Sequence, residues 1–289
     1  MRVLITGSNG QLGSEIRELE TNYKKLDLEF KDLPELDICN FNLLKSFIVD
    51  NNINAVINCA AYTDVDKAEQ DEKIADEVNS KGVLNLVNVL KSVNGKLIHI
   101  STDYVFNGDH FMPYNESDSV SPIGVYGNTK RNGELAVINS NIDGIVIRTS
   151  WLYSAYGNNF VKTMLRLGKQ KQELGVIFDQ VGTPTYARDL AKTCLEILCV
   201  GSSVNISKNG NLYHYSNEGV ASWYDFAISI MKIRGENCKV KPILTKDYPA
   251  LAKRPQYSVL NKYKIKTDFK IEIPYWKDSL KVCLEKIIN

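Results

Sequence analysis

The chain of 289 residues is 44% hydrophobic, enough to bury one large core or two modest ones, and its 35 basic and 34 acidic residues leave a net charge of +1. Those charges are scattered, which excludes an electrostatic footprint for nucleic acid or an anionic membrane. Cys39, Cys59, Cys194, Cys199, Cys238 and Cys283 include no C-x-x-C pair, and with no signal-peptide pattern or long apolar run the expectation is a cytoplasmic protein with reduced thiols.

The first apolar run, over 2–6, reads as a strand that feeds the turn Gly7-Ser8-Asn9-Gly10-Gln11-Leu12-Gly13 and then a helix over 14–20. Strand, glycine-rich turn and helix in that order suit a dinucleotide. Gly7 allows the tight turn, Gly10 the approach of a pyrophosphate to backbone N–H groups, and Gly13 the packing of helix on strand, with Gln11 and Leu12 at the helix N-terminus. The spacing is G-x-x-G-x-x-G, one residue longer at the first gap than the common form. A second strand over 26–30 leads to Lys31-Asp32 and Leu36-Asp37-Ile38, where the ribose end of a dinucleotide lies in such folds. Asp32 suits a ribose hydroxyl and Lys31 a 2'-phosphate, so the residues alone leave the NADH or NADPH choice open. Asn40 is placed to cap a helix over 41–50. A buried third strand over 55–61 ends in the small residues Ala60 and Ala61, which with Tyr62 and Thr63 leave room for a ligand. One helix is expected over 73–93.

A fourth strand over 96–100 opens into Ser101-Thr102-Asp103, at the strand end where ligands of doubly wound sheets bind. His99 alternates with apolar neighbours and reads as a core histidine. The next helix, from about 125 through 137, carries Tyr126 and Lys130. Four apart, they share one helix face. With 15 tyrosines in a lysine-rich chain, about one Tyr-x-x-x-Lys spacing is expected by chance, so its context decides its meaning. A fifth strand over 144–149 ends at Ser150-Trp151, and Trp151 is placed as a wall of a substrate cleft. Beyond it, helices are expected over 158–168 and 187–200, a strand over 203–207, and a closing amphipathic helix over 276–288. Pro184, Pro242, Pro249 and Pro255 and many tyrosines give the second half a loop-rich character. The fold class is therefore α/β: a Rossmann-type doubly wound parallel sheet over 1–153, rejoined by about 187–207, with a smaller α/β C-terminal substrate lobe over most of 154–289.

The Gly7-x-x-Gly10-x-x-Gly13 turn, the 58–63 strand end, Ser101-Thr102-Asp103-Tyr104-Val105-Phe106, Tyr126-x-x-x-Lys130 and Arg148-Thr149-Ser150-Trp151 together resemble the extended short-chain dehydrogenase/reductases, and within them the dTDP-4-dehydrorhamnose reductase family. Gly157-Asn158-Asn159-Phe160-Val161, Asp179-Gln180-x-Gly182-x-Pro184-Thr185, Ser222-Trp223-Tyr224 and Arg254-Pro255-x-x-Ser258-x-Leu260 extend the resemblance in matching order. It implies reduction of the C4 ketone of dTDP-4-dehydro-β-L-rhamnose, with NADPH the favoured donor and NADH the alternative. Tyr126 would be the proton donor, Lys130 its electrostatic partner and the anchor of the nicotinamide ribose, and Thr102 a hydrogen-bond donor to the ketone oxygen. Thr102, Asp103, Tyr126 and Trp151 would face the sugar, with Asn159, Phe160 and Arg254 toward the nucleotide. An ammonium about 4 Å from the phenol, at an effective dielectric of about 20, contributes on the order of 4 kcal/mol to the phenolate.

The resemblance also implies a homodimer, in some members with an interface metal held by carboxylates including one like Glu15. Near Ala187 the second carboxylate is replaced by Arg188, so no metal is expected. Related dehydratases carry an Asp-Glu pair where this chain has Asp103 and Tyr104, which argues against dehydration. The alternatives are a reductase or epimerase acting on another 4-keto-6-deoxy nucleotide sugar and, from a different class, a non-catalytic cofactor-binding regulatory subunit. Such a subunit has no evident use for the Thr102, Tyr126, Lys130 set.

Overall fold

The structure, a computed structural model, describes residues 1–200 and 211–288. In chain order, the first half comprises β1 (Arg2–Thr6), α1 (Gln11–Leu19), β2 (Asp27–Lys31), α2 (Phe41–Asp50), β3 (Ala55–Asn58), α3 (Val65–Ala68), α4 (Glu72–Asp76), α5 (Gly82–Ser92), β4 (Lys96–Thr102), α6 (Val125–Ile138) and β5 (Asp143–Thr149). The second half comprises β6 (Leu152–Tyr153), α7 (Phe160–Gln170), β7 (Glu173–Ile177), β8 (Val181–Gly182), β9 (Thr185–Tyr186), α8 (Ala187–Val200), β10 (Leu212–His214), β11 (Ala221–Ser222), α9 (Trp223–Arg234), β12 (Lys239–Ile243), α10 (Tyr263–Phe269) and α11 (Trp276–Ile288).

Six strands form one parallel sheet in the order β10-β5-β4-β3-β1-β2. Side chains alternate across it, as the period of two demands. Val3 and Ile5 bury on one face with Leu12 and Ile16 of α1 and Leu190 and Cys194 of α8. Leu4 and Val56 bury on the other with Leu44 of α2 and Leu86 of α5. Helices thus cover both faces, and the fold is a doubly wound α/β sheet. The sheet order reverses beside β1, and register aligns the strand ends there: Thr6 lies opposite Lys31 and Asn58, and Thr102 opposite Thr149. A crevice opens outside those ends.

The second half has a core of its own. Val161, Met164, Phe226, Ile230, Trp276 and Leu280 pack together, with Trp151, Phe160 and Trp223 along its border. The strand expected over 203–207 lies outside the described residues, and the sixth strand observed is β10. Among the described residues no helix is long and apolar enough to cross a membrane.

Several expected boundaries move for local reasons. The helix expected over 73–93 is interrupted by a π-helical turn at Glu77–Lys81. That turn carries the buried Asn79 inward, where its side chain accepts from Tyr62 N at 2.9 Å and donates to Tyr62 O at 3.0 Å and Thr129 Oγ1 at 3.2 Å. Helix α1 starts at Gln11 rather than Ser14, and β3 stops at Asn58, leaving Cys59, Ala60 and Ala61 as backbone along the crevice. Helix α7 begins at Phe160 because Asn159 is its N-cap, accepting from Lys162 N at 3.1 Å. His99 is fully buried and pairs through Nδ1 with Asn58 Nδ2 at 3.1 Å, while Nε2 has no partner among the described residues.

Candidate active site

A cavity of about 830 Å³ runs along the strand ends, from the glycine turn to Tyr126 and Trp151. At one end lie Gly7, Gly10, Gln11 and Leu12. Gly7 has φ +61, and a Cβ there would sit 2.6 Å from Ala60 N, so no other residue fits the turn without strain. Gly13 does not line the cavity: it packs on the Ser8 backbone, which a Cβ would approach to 2.5 Å. Helix α1 has Gly10 as N-cap with no side-chain cap bond, and no acidic residue in its first turn. Its N–H groups and positive dipole end therefore remain available to an anion, and the turn fits a pyrophosphate.

Beyond the turn the cavity is walled by Asp32, Asp37 and Ile38, and the path toward Tyr126 by Ala60, Ala61, Tyr62 and Thr63. Asp32 is fixed by Asn9 N at 2.7 Å and Leu33 N at 2.8 Å. Lys31 stands apart from the cavity. Its ammonium lies 3.3 Å from both Glu29 and Glu35, so the lysine proposed for a 2'-phosphate is held by two carboxylates instead.

At the other end of the cavity, β4 and α6 bring Thr102, Asp103, Tyr126 and Lys130 together. Tyr126 is pushed up to about 12, by burial first, with the Thr102 hydrogen bond opposing and the Asp103 charge adding. Part of its ring faces the cavity, where water tempers the rise. Lys130 is 2% exposed and donates to the Ile100 carbonyl at 2.6 Å. Burial brings it down to about 8, against the Glu134 and Cys59 charges that favour the ammonium. Its head group is thus turned to a backbone carbonyl. Asp103, buried beside Thr102 and accepting its hydroxyl at 3.1 Å, is pushed up to about 6 by burial, with Ser258 and Thr102 hydrogen bonds opposing. This arrangement can hold a protonated phenol over a polar strand end.

Trp151 forms the far wall. It sits at φ +47, a strained backbone for a bulky residue, and its ring stacks on Trp223 with centroids 3.6 Å apart and planes 8° from parallel. Trp223 in turn donates to Gln180 Oε1 at 3.2 Å. Of the three residues expected at the nucleotide end, Asn159 lines the cavity, while Phe160 and Arg254 do not. Asn159 lines the cavity beside Gln11, to which it donates at 3.0 Å, so it braces the phosphate turn. Phe160 packs between Trp223 and Phe226 and does not reach the cavity. Arg254 pairs with Asp66 at 2.7 Å, also off the lining. Glu15 is buried against Ser154, Arg188 and Lys286.

Sequence reasoning missed the carboxylate behind this cluster. Glu134 is fully buried and accepts from Ser101 Oγ at 2.7 Å, Arg148 Nε at 2.7 Å, Arg148 Nη2 at 2.8 Å and Arg131 Nη1 at 2.7 Å. Its position four residues beyond Lys130 was the available signal. Trp223, Tyr104 and Ser150 were also passed over as site residues, because their places depend on long-range packing.

The RmlD substrate binding domain model matches residues 1–289. A dTDP-4-dehydrorhamnose reductase of Aggregatibacter actinomycetemcomitans is 41% identical, the match covering 97% of each chain. Among solved structures, a dTDP-4-dehydrorhamnose reductase from Clostridium acetobutylicum is 42% identical with a TM-score of 0.92, covering 100% of both chains. One from Bacillus anthracis, in complex with NADP, is 37% identical with a TM-score of 0.92 over 99% of both.

Proposed function

Since the chain belongs to the dTDP-4-dehydrorhamnose reductase family, matched along its whole length by the family's substrate-binding model, we propose that it reduces the C4 ketone of dTDP-4-dehydro-β-L-rhamnose to dTDP-β-L-rhamnose. A nicotinamide dinucleotide supplies the hydride when bound, NADPH or NADH. The observation that carries the reading is one cavity with an uncapped helix N-terminus at one end and Thr102, Tyr126 and Lys130 at the other.

Negative charge develops on the ketone oxygen as reduction proceeds, and a proton must meet it there. Tyr126 gives that proton: pushed up to about 12, it is protonated at neutral pH. Thr102, whose hydroxyl donates to Asp103 at 3.1 Å, turns that donor to the ketone oxygen of a bound sugar and so orients the carbonyl. Lys130, at about 8, carries most of its charge at neutral pH and adds positive potential at the buried base of the cavity. Its anchor on Ile100 O keeps that charge at the cavity, where it would hold a nicotinamide ribose. Trp151, backed by the stacked Trp223, supplies an apolar wall for the deoxy face of the sugar, and Asp103 takes a sugar hydroxyl. A homodimer in the cytoplasm completes the proposal.

The test is to mix the purified protein with NADPH or NADH and enzymatically prepared dTDP-4-dehydrorhamnose, follow cofactor absorbance and identify the sugar. Stoichiometric cofactor loss with formation of dTDP-rhamnose supports the reading. Turnover only with a different 4-keto-6-deoxy nucleotide sugar would reassign the substrate, and binding of cofactor with no turnover on any keto sugar would favour a regulatory subunit.

A further inference from the structure

We propose that Glu134 is a positioning residue of the reduction, keeping Lys130 charged and in register through the buried pair it forms with Arg148. The proposal rests on the reductase reading and adds to it a residue that lies outside the cavity lining.

Glu134 stands one helical turn beyond Lys130 on α6, on the same face. Its two oxygens take four hydrogen bonds, and each donor belongs to a segment that carries part of the site. Ser101 immediately precedes Thr102. Arg131 immediately follows Lys130. Arg148 precedes Thr149, Ser150 and Trp151. One carboxylate therefore locks α6, the end of β4 and the end of β5 together, and these are the segments that must stay aligned for Tyr126 to meet a ketone beside Thr102 and Trp151.

Stability does not account for such a cluster. Glu134 is 0% and Arg148 1% exposed, and a buried ion pair is commonly no more stabilising than apolar side chains of the same volume. Conformational and electrostatic definition of the neighbouring site is what the pair adds. Four charge-assisted bonds leave the carboxylate ionised, below its ordinary range despite burial. Arg148 is itself held by the Phe106 ring at 5.0 Å and His214 Nε2 at 3.4 Å, with Glu116 within electrostatic reach.

The groups facing Lys130 come from three elements. Glu134 lies on α6, Cys59 follows β3, and His99 lies on β4 and is held neutral by burial and by the lysine itself. Of these, the carboxylate is the one that is ionised at neutral pH and favours the ammonium. Arg148 bonds that same carboxylate at 2.7 and 2.8 Å, so removing both members takes away the lock together with the charge that favours the ammonium.

The experiment follows the Lys130 side chain by NMR across pH in isotopically labelled protein without sugar, the resonance assigned with Lys130→Met. Two variants are compared with wild type: Glu134→Gln, and Glu134→Met combined with Arg148→Met, which removes both charges while keeping the volume apolar and so guards against a fold lost to an unpaired buried arginine. The wild-type midpoint is expected near about 8. Both variants should titrate lower by on the order of one unit. The alkaline limb of kcat/KM should move with the midpoint, and Tm should recover in the double variant while the limb does not. A midpoint equal to wild type in both variants, or a double variant that regains the wild-type midpoint and limb along with its Tm, overturns the proposal and leaves a purely structural pair. A wild-type protein that oxidises no cofactor with the keto sugar sinks the reductase reading itself, a separate result from an unmoved lysine in an active enzyme.

Discussion

Lys130 Nζ donates to the Ile100 carbonyl oxygen at 2.6 Å, and both residues line the cavity that Tyr126 also lines. Burial lowers the lysine's pKa from its ordinary value to about 8. In the proposed mechanism the ammonium is the active form, so activity is present below that pKa and lost above it. The kcat/KM for the keto sugar should fall about tenfold per pH unit on the alkaline side of a midpoint near 8. The linked effect on stability has the opposite sign. Because the unfolded lysine holds its proton to higher pH, the burial cost is present below about 8 and is relieved as pH rises toward the unfolded value of 10.5. Urea melts of wild type and Lys130→Met between those values measure it: the variant should lack the rise.

Tyr126→Phe removes the phenolic proton and little volume. Cofactor affinity should stay near wild type while kcat falls about 10²- to 10⁴-fold. Thr102→Val should lower kcat less than Tyr126→Phe does, since it removes a hydrogen bond to the ketone oxygen and leaves the acid in place. Titration calorimetry with the cofactor, paired with steady-state rates, separates the two quantities. A Tyr126→Phe enzyme at full turnover would move the acid elsewhere.

The glycine turn, the polar end of β4 and the Tyr126–Lys130 pair were all legible from the chain, because each is a local pattern repeated by the period of its own helix or strand. What was not legible depends on partners distant in sequence. The π-turn at Glu77–Lys81 exists so that Asn79 can reach Tyr62 and Thr129, and no window of sequence contains all three. Lys31 read as a phosphate ligand by position, yet Glu29 and Glu35 hold it from the same strand and the next loop. Phe160 and Arg254 belonged to the family pattern through packing and an ion pair, not through the cavity.

Trp151 is held at φ +47 by a stack on Trp223. Trp223→Leu removes that support without touching Tyr126 or Lys130. Such aromatic stacks contribute about 0.5–1.5 kcal/mol beyond buried area, so KM for the keto sugar should rise about threefold to tenfold, with a smaller fall in kcat. An unchanged KM would mean that Trp151 keeps its place unaided, or that the sugar does not lie on it.

Lys31 can meet a 2'-phosphate only by leaving its carboxylates. Glu35→Gln loosens one of them, at a partly exposed pair where such contacts contribute about 0.5 kcal/mol. Affinity for NADPH relative to NADH should rise roughly twofold, read by fluorescence titration of both cofactors. No change in the ratio would show that Lys31 takes no part in cofactor choice.

The central claim is hydride transfer to the C4 carbon of a dTDP-linked keto sugar with Tyr126 as the acid. The most direct measurement is a single turnover with cofactor deuterated at the transferring position of the nicotinamide, followed by NMR and mass analysis of the sugar. Deuterium at C4 of dTDP-rhamnose in wild type, with the transfer strongly slowed in Tyr126→Phe, is the expected result. A sugar recovered without deuterium, or labelled at another carbon, would contradict it.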